Sequence, residues 1–195
     1  MIYKVLWIIR GCVYKLFFGR FGFPSYIGNP LFIKNFKRIF IGKKVRIFAG
    51  ARIEVANKKS SIVFEDNISI GQNLHIISGG GQALIIGKDT TMSANVFITN
   101  IDHEYKEIDK HILDQVLLAR ETKIGENCFI GYGAVIQAGT ILGKQCIVGA
   151  NAVVRGTFPD YCVIVGVPAR IVKRYNPKIK EWEKISHKEE ILNEE

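Results

Sequence analysis

The sequence lacks the cysteine patterns of a metal site. Its cysteines include no C-x-x-C pair, and none has a companion histidine at metal-binding spacing. The four cysteines are Cys12, Cys128, Cys146 and Cys162. We therefore expect reduced thiols, a cytoplasmic protein and no bound metal.

Long apolar runs are also missing. A membrane-spanning helix needs roughly 20 apolar residues, whereas Lys4, Arg10 and Lys15 interrupt the apolar residues at the start of the chain. The run from Val5 to Ile9 is followed by no small-residue cleavage site. The sequence therefore predicts neither a transmembrane helix nor a cleaved secretory signal.

Leucine is scarce, and this bears on the fold class. The chain has 195 residues, of which 48% are hydrophobic and 23% charged, as expected of one soluble globular domain. It contains 30 Ile and 15 Val but only 10 Leu. β-branched side chains favour pleated strands, whereas helix faces are usually rich in Leu. The composition therefore predicts an all-β body.

Acidic residues are nearly absent from residues 1–60, which carry 13 basic side chains and only Glu54. The net charge of this segment is +12, and the remainder of the chain sums to −3. Such a basic segment favours a membrane surface or a polyanionic ligand. Nucleic acid is not the expected ligand, because the aromatic residues here follow an apolar helical pattern and form no exposed stacking platform.

A six-residue repeat dominates the second half of the chain. Aliphatic residues recur at Ile124, Ile130, Ile136, Leu142, Val148 and Val154. Four places after each of them stand Cys128, Ala134, Thr140, Cys146, Ala152 and Phe158, which are small in all units but the last. The same phase appears earlier, between Ile41 and Ile98.

A period of six does not keep residues on one face of a helix, but short strands joined by tight corners accommodate it. Three units per turn give a triangular solenoid in which each residue lies over the residue 18 positions later, one strand spacing of about 4.8 Å away. Cys128 then stacks on Cys146. These thiols are expected to be small core residues, not a redox or metal pair.

With this repeat, the chain resembles the hexapeptide-repeat acyltransferases over roughly residues 40–172. The sequence Gly166-Val-Pro-Ala-Arg170 after the last repeat looks like the closing signature of the members that use coenzyme A. The resemblance implies a left-handed parallel β-helix and a homotrimer with each active site between two subunits. It also implies acetyl-CoA as co-substrate.

The repeat is interrupted at residues 99–117, and an insertion into a solenoid is expected to project from a corner as a loop. His103 lies at the start of this loop. The chain resembles galactoside, maltose and polysaccharide O-acetyltransferases, in which a histidine at this place is the general base, so the resemblance assigns that role to His103. An ordinary imidazole, with a pKa of about 6.5, is largely neutral near pH 7 and can accept a hydroxyl proton. Asp102 is a candidate for orienting His103 or contacting substrate, and a backbone carbonyl is an equal candidate for orienting it.

Six further positions match places where the resembling enzymes contact coenzyme A. The resemblance implies backbone contacts to the pantetheine, contacts to the lower arm of the cofactor, and cationic contacts to the nucleotide phosphates. In that order, the residues are Tyr132 and Ala150, Arg155 and Gly156, and Arg170 and Lys173.

Asn73 and His75 match the region in which the galactoside enzymes hold the acceptor sugar. The leading hypothesis is an acetyl-CoA-dependent O-acetyltransferase that acts on a sugar hydroxyl in bacterial surface polysaccharide biosynthesis, such as O-antigen or capsule. An N-acetyltransferase of an amino-sugar nucleotide would retain the same loop histidine. A catalytically silent β-helix scaffold is the alternative outside the enzymes.

The two ends of the chain are expected to lie outside the solenoid, which would occupy residues 39–172. Residues 1–38 are predicted to form an amphipathic segment that lies on the inner face of the cytoplasmic membrane, caps the open end of the solenoid, or does both. Trp7 and Tyr14 would lie near the lipid boundary. Residues 173–195 are predicted to form a charged helix and an acidic tail.

Overall fold

A computed structural model of the chain describes residues 2–185, with side chains described from Val5 onward. One α-helix, α1 (Ile2–Tyr14), precedes a long series of short strands. The first twelve strands are β1 (Arg20–Phe21), β2 (Tyr26–Ile27), β3 (Phe32–Lys34), β4 (Ile39–Ile41), β5 (Arg46–Ile47), β6 (Arg52–Val55), β7 (Ser61–Phe64), β8 (Ser69–Ile70), β9 (His75–Ser78), β10 (Ala83–Ile86), β11 (Thr91–Met92) and β12 (Phe97–Thr99).

The second half of the chain continues in the same way. Its strands are β13 (Ile101–His103), β14 (Leu117–Ala119), β15 (Lys123–Ile124), β16 (Phe129–Ile130), β17 (Val135–Ile136), β18 (Ile141–Leu142), β19 (Ile147–Val148), β20 (Val153–Val154), β21 (Thr157–Phe158), β22 (Cys162–Gly166), β23 (Ala169–Asn176) and β24 (Glu181–Lys184). Two short 3-10 helices lie at Phe36–Arg38 and Ile112–Asp114.

The strands stack into three parallel sheets that form the faces of a prism. The first face contains β1, β4, β7, β10, β15, β18 and β21, and the third face contains β3, β6, β9, β12, β17 and β20. The second face contains β2, β5, β8, β11, β16, β19 and β22, and is extended by antiparallel β23 and β24. The predicted parallel β-helix is therefore confirmed.

The 18-residue stacking is confirmed in the later coils, where Phe129 pairs with Ile147. Earlier coils are longer, so that Arg52 lies beside His75 and His75 beside Phe97, offsets of 23 and 22 residues. Most of the extra residues lengthen the strands on either side of the corner between the third and first faces. Strands β6, β7, β9 and β10 have four residues each, whereas β17 and β18 have two. The expectation of a uniform offset is wrong for the first half of the chain.

The interior of the prism is filled by the aliphatic residues of the repeat. All six aliphatic positions from Ile124 to Val154 are buried, and so are the residues four places after each of them. Cys128 and Cys146 lie one coil apart in this column, and each thiol donates to a backbone carbonyl, those of Gly143 and Pro159 respectively. The prediction that these cysteines are core residues is confirmed.

Both ends of the chain differ in part from the sequence-based expectation. The first coil begins at Arg20, inside the segment assigned to the cap, because β1 already pairs in parallel with β4. The predicted C-terminal helix is wrong over residues 177–185, where β24 pairs with β23 and brings Trp182 against Tyr175. The acidic tail lies outside the described residues. Across residues 2–185, no helix has the length and apolar character needed to cross a bilayer.

Candidate active site

A β-hairpin leaves the prism where the repeat is interrupted. Strand β13 follows directly on β12 of the third face and pairs antiparallel with β14, and His103 lies opposite Leu117 at the outer end of the ladder. We call residues 101–119 the His103 hairpin. The short ladder of β13 and β14 fixes the backbone of His103 relative to the third face.

The base of the His103 hairpin is pinned by a buried asparagine. Asn100 is fully buried, and its side chain spans both polar groups of Gly79: the Gly79 N–H donates to Oδ1 at 2.7 Å, and Nδ2 donates to the Gly79 carbonyl at 3.3 Å. The Asn100 carbonyl accepts from the backbone N–H of Arg120, just after the hairpin. The same residue therefore ties the hairpin to the preceding coil and to its own return strand.

The tip of the His103 hairpin is ordered by Gln115, whose amide is buried. The side-chain Nε2 of Gln115 donates to the carbonyls of Glu107 and Lys110, and its Oε1 accepts from the backbone N–H of Glu107. These bonds satisfy backbone groups of a segment that has few strand partners. The loop is thus a defined structure, and it presents an apolar outer surface formed by Tyr105, Ile108, Ile112, Leu113, Val116 and Leu117.

A groove of about 340 Å³ runs between the His103 hairpin and the third face. It is lined by Ile77, Phe97, Thr99, Ile101, Asp102, His103, Val135, Gln137 and Ala138. His103 is exposed at its edge, and among the described residues no hydrogen bond engages its imidazole. The ring is therefore available to a hydroxyl that enters the groove.

Asp102 contacts His103 through the backbone. Its Oδ1 accepts from the backbone N–H of His103 at 3.0 Å. Adjacent side chains of a strand point to opposite sides, which agrees with the absence of a bond from the Asp102 carboxylate to the imidazole among the described residues. Asp102 lines the groove, so its carboxylate is placed to contact a bound substrate.

His75 lies one coil before Phe97 on the same column of the third face. Its ring packs edge-on against Phe97, with centroids 5.0 Å apart, and its Nε2 is buried without a hydrogen-bond partner. Burial lowers the pKa of His75, the positive charge of Arg52 lowers it further, and Glu54 opposes the shift. The surroundings of His75 thus favour its neutral form, and its ring lies against Phe97, which lines the groove.

Asn73 lies at a corner and not on the third face. Its backbone is left-handed, with φ 59°, a conformation that asparagine tolerates better than most residues. Its Nδ2 donates to Asn95 at 3.0 Å, and Asn95 in turn donates to the hydroxyl of Tyr132. Asn73 therefore has a structural task at the corner, away from the lining of the groove.

The residues matched to coenzyme A lie in three places. Tyr132 and Ala150 occupy one corner in successive coils, and the backbone N–H of Asn151 donates to the Tyr132 carbonyl. Arg155 and Gly156 follow β20, one coil beyond Gln137 of the groove. They therefore continue the groove toward the end of the prism.

Arg170 and Lys173 lie on β23, opposite Val165 and Val163 of the second face. Strand β23 also contacts β20, so it adjoins the edge of the third face. Among residues 5–185, neither cation nor Arg155 forms an ion pair with a carboxylate. Arg155, Arg170 and Lys173 thus lie on the last coil and on the strand that follows it.

Several functional candidates were missed by sequence reasoning. Phe97, Thr99 and Gln137 line the groove, and Arg52 lies one coil before His75. They occupy outward positions of the repeat, which vary from coil to coil and so show no period. Each lies one position from an inward aliphatic residue, so the sequence could have predicted that it faces outward. It could not have predicted that these outward residues line a groove.

Comparisons with known proteins agree with this architecture. Residues 121–156 match the family model described as bacterial transferase hexapeptide (six repeats). The chain is 35% identical over 162 residues to WbbJ of Escherichia coli K12, named as a candidate lipopolysaccharide biosynthesis O-acetyl transferase; the match covers 80% of this chain and 81% of WbbJ.

Solved structures share the fold. AntD, an N-acyltransferase from Bacillus cereus in complex with dTDP and 3-hydroxybutyryl-CoA, superposes with a TM-score of 0.70 at 19% identity, covering 95% of each chain. Galactoside acetyltransferase in complex with coenzyme A gives a TM-score of 0.55 at 18% identity, covering 91% of this chain and 77% of that one. With the family match and the 35% identity to WbbJ, these findings show that the chain belongs to the hexapeptide-repeat acyltransferases, as one of their acetyltransferases.

Proposed function

We propose that this protein transfers acetyl from acetyl-CoA to a sugar hydroxyl in the biosynthesis of a bacterial surface polysaccharide, such as O-antigen or capsule. The observation that carries the proposal is His103, exposed on an anchored hairpin at the edge of a groove. The likeness to WbbJ supports the O-acetyl product, because that relative is named for lipopolysaccharide O-acetyl transfer.

His103 is the proposed general base. A ring nitrogen of its neutral imidazole takes the proton of the acceptor hydroxyl while the hydroxyl oxygen forms a bond to the acetyl carbonyl carbon. The carbon–sulfur bond of the thioester breaks, and the imidazolium returns the proton to the departing thiolate. The step balances without a covalent enzyme intermediate. The anchored strand β13 contributes positioning, since proximity in a fixed geometry lowers the barrier.

The third face and the end of the prism fit a long, extended, anionic co-substrate. A Cβ on Gly156 would meet no atom within 4 Å, so there is open space beside Arg155. Arg155, Arg170 and Lys173 are exposed and suit phosphate groups. Bound there, acetyl-CoA supplies an activated acetyl thioester, while the peptide groups at Tyr132 and Ala150 are the proposed contacts for its pantetheine.

The acceptor is proposed to enter beside His75 and Phe97. An aromatic face with polar neighbours suits a sugar ring. Arg52 and His75 lie in the column of Phe97, and Glu54 lies beside Ile77, two residues further along the same strands. Asp102 offers a carboxylate at the hairpin edge. Asn73 is the weaker candidate, because its amide is already bonded to Asn95.

The proposed assembly is a homotrimer with each site between two subunits. It is supported by the apolar outer surface of the His103 hairpin, where Ile108 and Leu113 are 83% and 69% exposed in the single chain. Large exposed apolar surfaces mark interaction sites. A neighbouring subunit would cover this surface and close the groove.

A second candidate is transfer to the amine of an amino-sugar nucleotide. The structural likeness to AntD, crystallised with dTDP and 3-hydroxybutyryl-CoA, is the observation that favours it. An amine also has to lose a proton, so His103 would serve both reactions. A third candidate is a silent scaffold, which would bind coenzyme A without turnover.

A panel of acceptors separates the three candidates. Purified protein is incubated with acetyl-CoA and with free, nucleotide-linked or lipid-linked sugars that carry hydroxyl or amino groups, and free thiol release is followed. The proposal predicts a product whose acetyl group is lost in mild base, as an ester is. A base-stable amide would establish the second candidate, and coenzyme A binding without thiol release from any acceptor would establish the scaffold.

A further inference from the structure

Helix α1 has two apolar faces on opposite sides. At about 100° per residue, Trp7, Gly11 and Tyr14 share the face that packs on the first coil. The Trp7 ring lies 5.7 Å from that of Tyr26, and a Cβ on Gly11 would come within 2.7 Å of the Ser25 carbonyl oxygen. This face therefore caps the open end of the prism, and Trp7 and Tyr14 pack on the first coil.

The opposite face of α1, with the turn that follows it, is apolar and exposed. Its residues recur at the helical spacing and are 50–79% exposed: Val5, Leu6, Ile9, Val13, Leu16 and Phe17. We call them the outer stripe. Within the described part of the chain, no segment packs over it. A cap needs only one apolar face, so the outer stripe needs a partner of its own.

Cations border one end of the outer stripe. Phe17 lines a concavity of about 660 Å³ with Phe36, Lys37, Arg38 and Lys58. The Arg38 guanidinium is engaged by two backbone carbonyls. Lys37 and Lys58 form no ion pair among the described residues. An apolar floor beside two unpaired ammonium groups suits a phosphate-bearing amphiphile.

We propose that the outer stripe and the concavity beside Phe17 dock the protein on an anionic lipid bilayer. The stripe enters the interface with α1 parallel to the membrane plane, while Lys37 and Lys58 meet lipid phosphates. A second copy is a poorer occupant, because residues 1–60 carry a net charge of +12 and two such segments repel each other. The inference does not depend on which acceptor is acetylated.

Vesicle co-flotation tests the proposal. The full chain is mixed with vesicles of phosphatidylcholine alone, or with about one third phosphatidylglycerol, and the bound fraction is measured at low and high salt. Binding is expected to the phosphatidylglycerol vesicles, with much weaker binding to phosphatidylcholine and a decrease at high salt.

Matched variants separate the two contributions. Leu6→Ser, Ile9→Ser and Val13→Ser combined are expected to reduce binding at least about tenfold, since each removes apolar surface from a side chain that is at least half exposed. Lys37→Ser with Lys58→Ser is expected to reduce binding to phosphatidylglycerol vesicles by roughly fivefold per lysine.

The control variant carries Val167→Ser and Ile179→Ser, two exposed apolar residues at the other end of the prism, and should bind as wild type does. Failure of wild type to float with phosphatidylglycerol vesicles overturns the proposal. So does equal binding to both vesicle types, unchanged binding of the stripe variant, or a self-association that the stripe variant abolishes, which would make a second copy the occupant.

Discussion

Asn100 shows how one buried side chain fixes the backbone three places before His103, the proposed general base. Its amide satisfies both backbone groups of Gly79, and its backbone carbonyl holds the return strand at Arg120. Among the described residues, the Thr99 hydroxyl bonds only to the backbone of Ile101 and so does not tie the hairpin to another coil. Asn100 is therefore a positioning residue for His103.

Replacing Asn100 with Ala should destabilise the protein by about 1–3 kcal/mol, because the buried N–H of Gly79 would lose its partner. The Gly79 carbonyl would keep only the backbone N–H of Gln82, at 3.4 Å. Urea unfolding measures the change. Gln72→Ala is the matched control: it removes an exposed amide and should change the free energy of unfolding by less than about 0.5 kcal/mol. Equal effects of the two substitutions would remove the role assigned to Asn100.

His75 should make stability depend on pH. Burial and Arg52 lower its pKa in the folded state, against the opposing effect of Glu54. Below about pH 6.5 the unfolded chain therefore takes up the proton more readily than the folded one, so stability falls as the pH decreases. We expect His75→Gln to make the unfolding midpoint less sensitive to pH between 7 and 5. His111→Gln, an exposed loop residue, should leave the slope as in wild type; a His75→Gln slope identical to wild type would contradict this account.

The place of His103 could be predicted from the sequence because an interruption is visible only against a regular repeat. Its surroundings could not. Phe97 and Gln137 lie 40 positions apart in the chain and meet in one groove only because an inserted hairpin returns the chain to the next coil. Asn100 gave no signal, since a buried amide and an exposed loop amide look the same in sequence.

At the scale of elements, the His103 hairpin depends on a glycine corner in the coil before it. Gly80 and Gly81 both have left-handed backbones, with φ 66° and 82°. A Cβ on Gly80 would collide with the Cβ of Ala119 on β14, whereas the nearest atom to a Cβ on Gly81 would be 3.9 Å away. Only Gly80 is needed for close approach of the hairpin.

Gly80→Ala and Gly81→Ala therefore both place a side chain on a left-handed backbone, but only Gly80→Ala also makes the new Cβ collide with Ala119. We expect Gly80→Ala to be less stable than Gly81→Ala by about 1–3 kcal/mol, the usual effect of overpacking. Adding Ala119→Gly should recover most of that difference. Thermal or urea unfolding gives the comparison, and equal stability of the two single variants would show that the hairpin does not require this contact.

The two terminal elements show where sequence patterns are ambiguous. Both faces of α1 are apolar, so the sequence predicted an amphipathic segment but placed Trp7 near the lipid boundary. In the structure, Trp7 and Gly11 pack on the first coil. Ile179, Trp182 and Ile185 recur at helical spacing, yet the chain forms a turn at residues 177–180 and then strand β24. Pairing with β23 supplies backbone hydrogen bonds and an aromatic contact to Tyr175, which local spacing does not reveal.

At the scale of the whole molecule, the inward residues were predictable and the coil lengths were not. The inward residues lie in a narrow, closely packed interior that admits apolar side chains, so their positions follow the repeat. Strand length is not limited by that interior, and β6 and β9 have four residues where β17 has two. Arg52 and His75 are therefore 23 positions apart although their strands are in register.

The proposed homotrimer should sediment with about three times the 22.0 kDa mass of the chain. Ile108→Asp with Leu113→Asp is expected to shift the mass toward that of one chain, because the charges would be buried unpaired in the subunit interface. Leu16→Asp, equally exposed but on the outer stripe, is the control and should remain trimeric. A wild-type protein that sediments as one chain would contradict the proposal.

The measurement that most directly tests the account is acetyl transfer by a His103→Ala variant, with thiol release from acetyl-CoA as the readout and His111→Ala, in the same loop, as the control. The account predicts a loss of turnover of roughly 10² to 10⁴ for His103→Ala, with coenzyme A binding by calorimetry unchanged, and near wild-type turnover for His111→Ala. Turnover of His103→Ala within about twofold of wild type would contradict the assignment of His103 as the base.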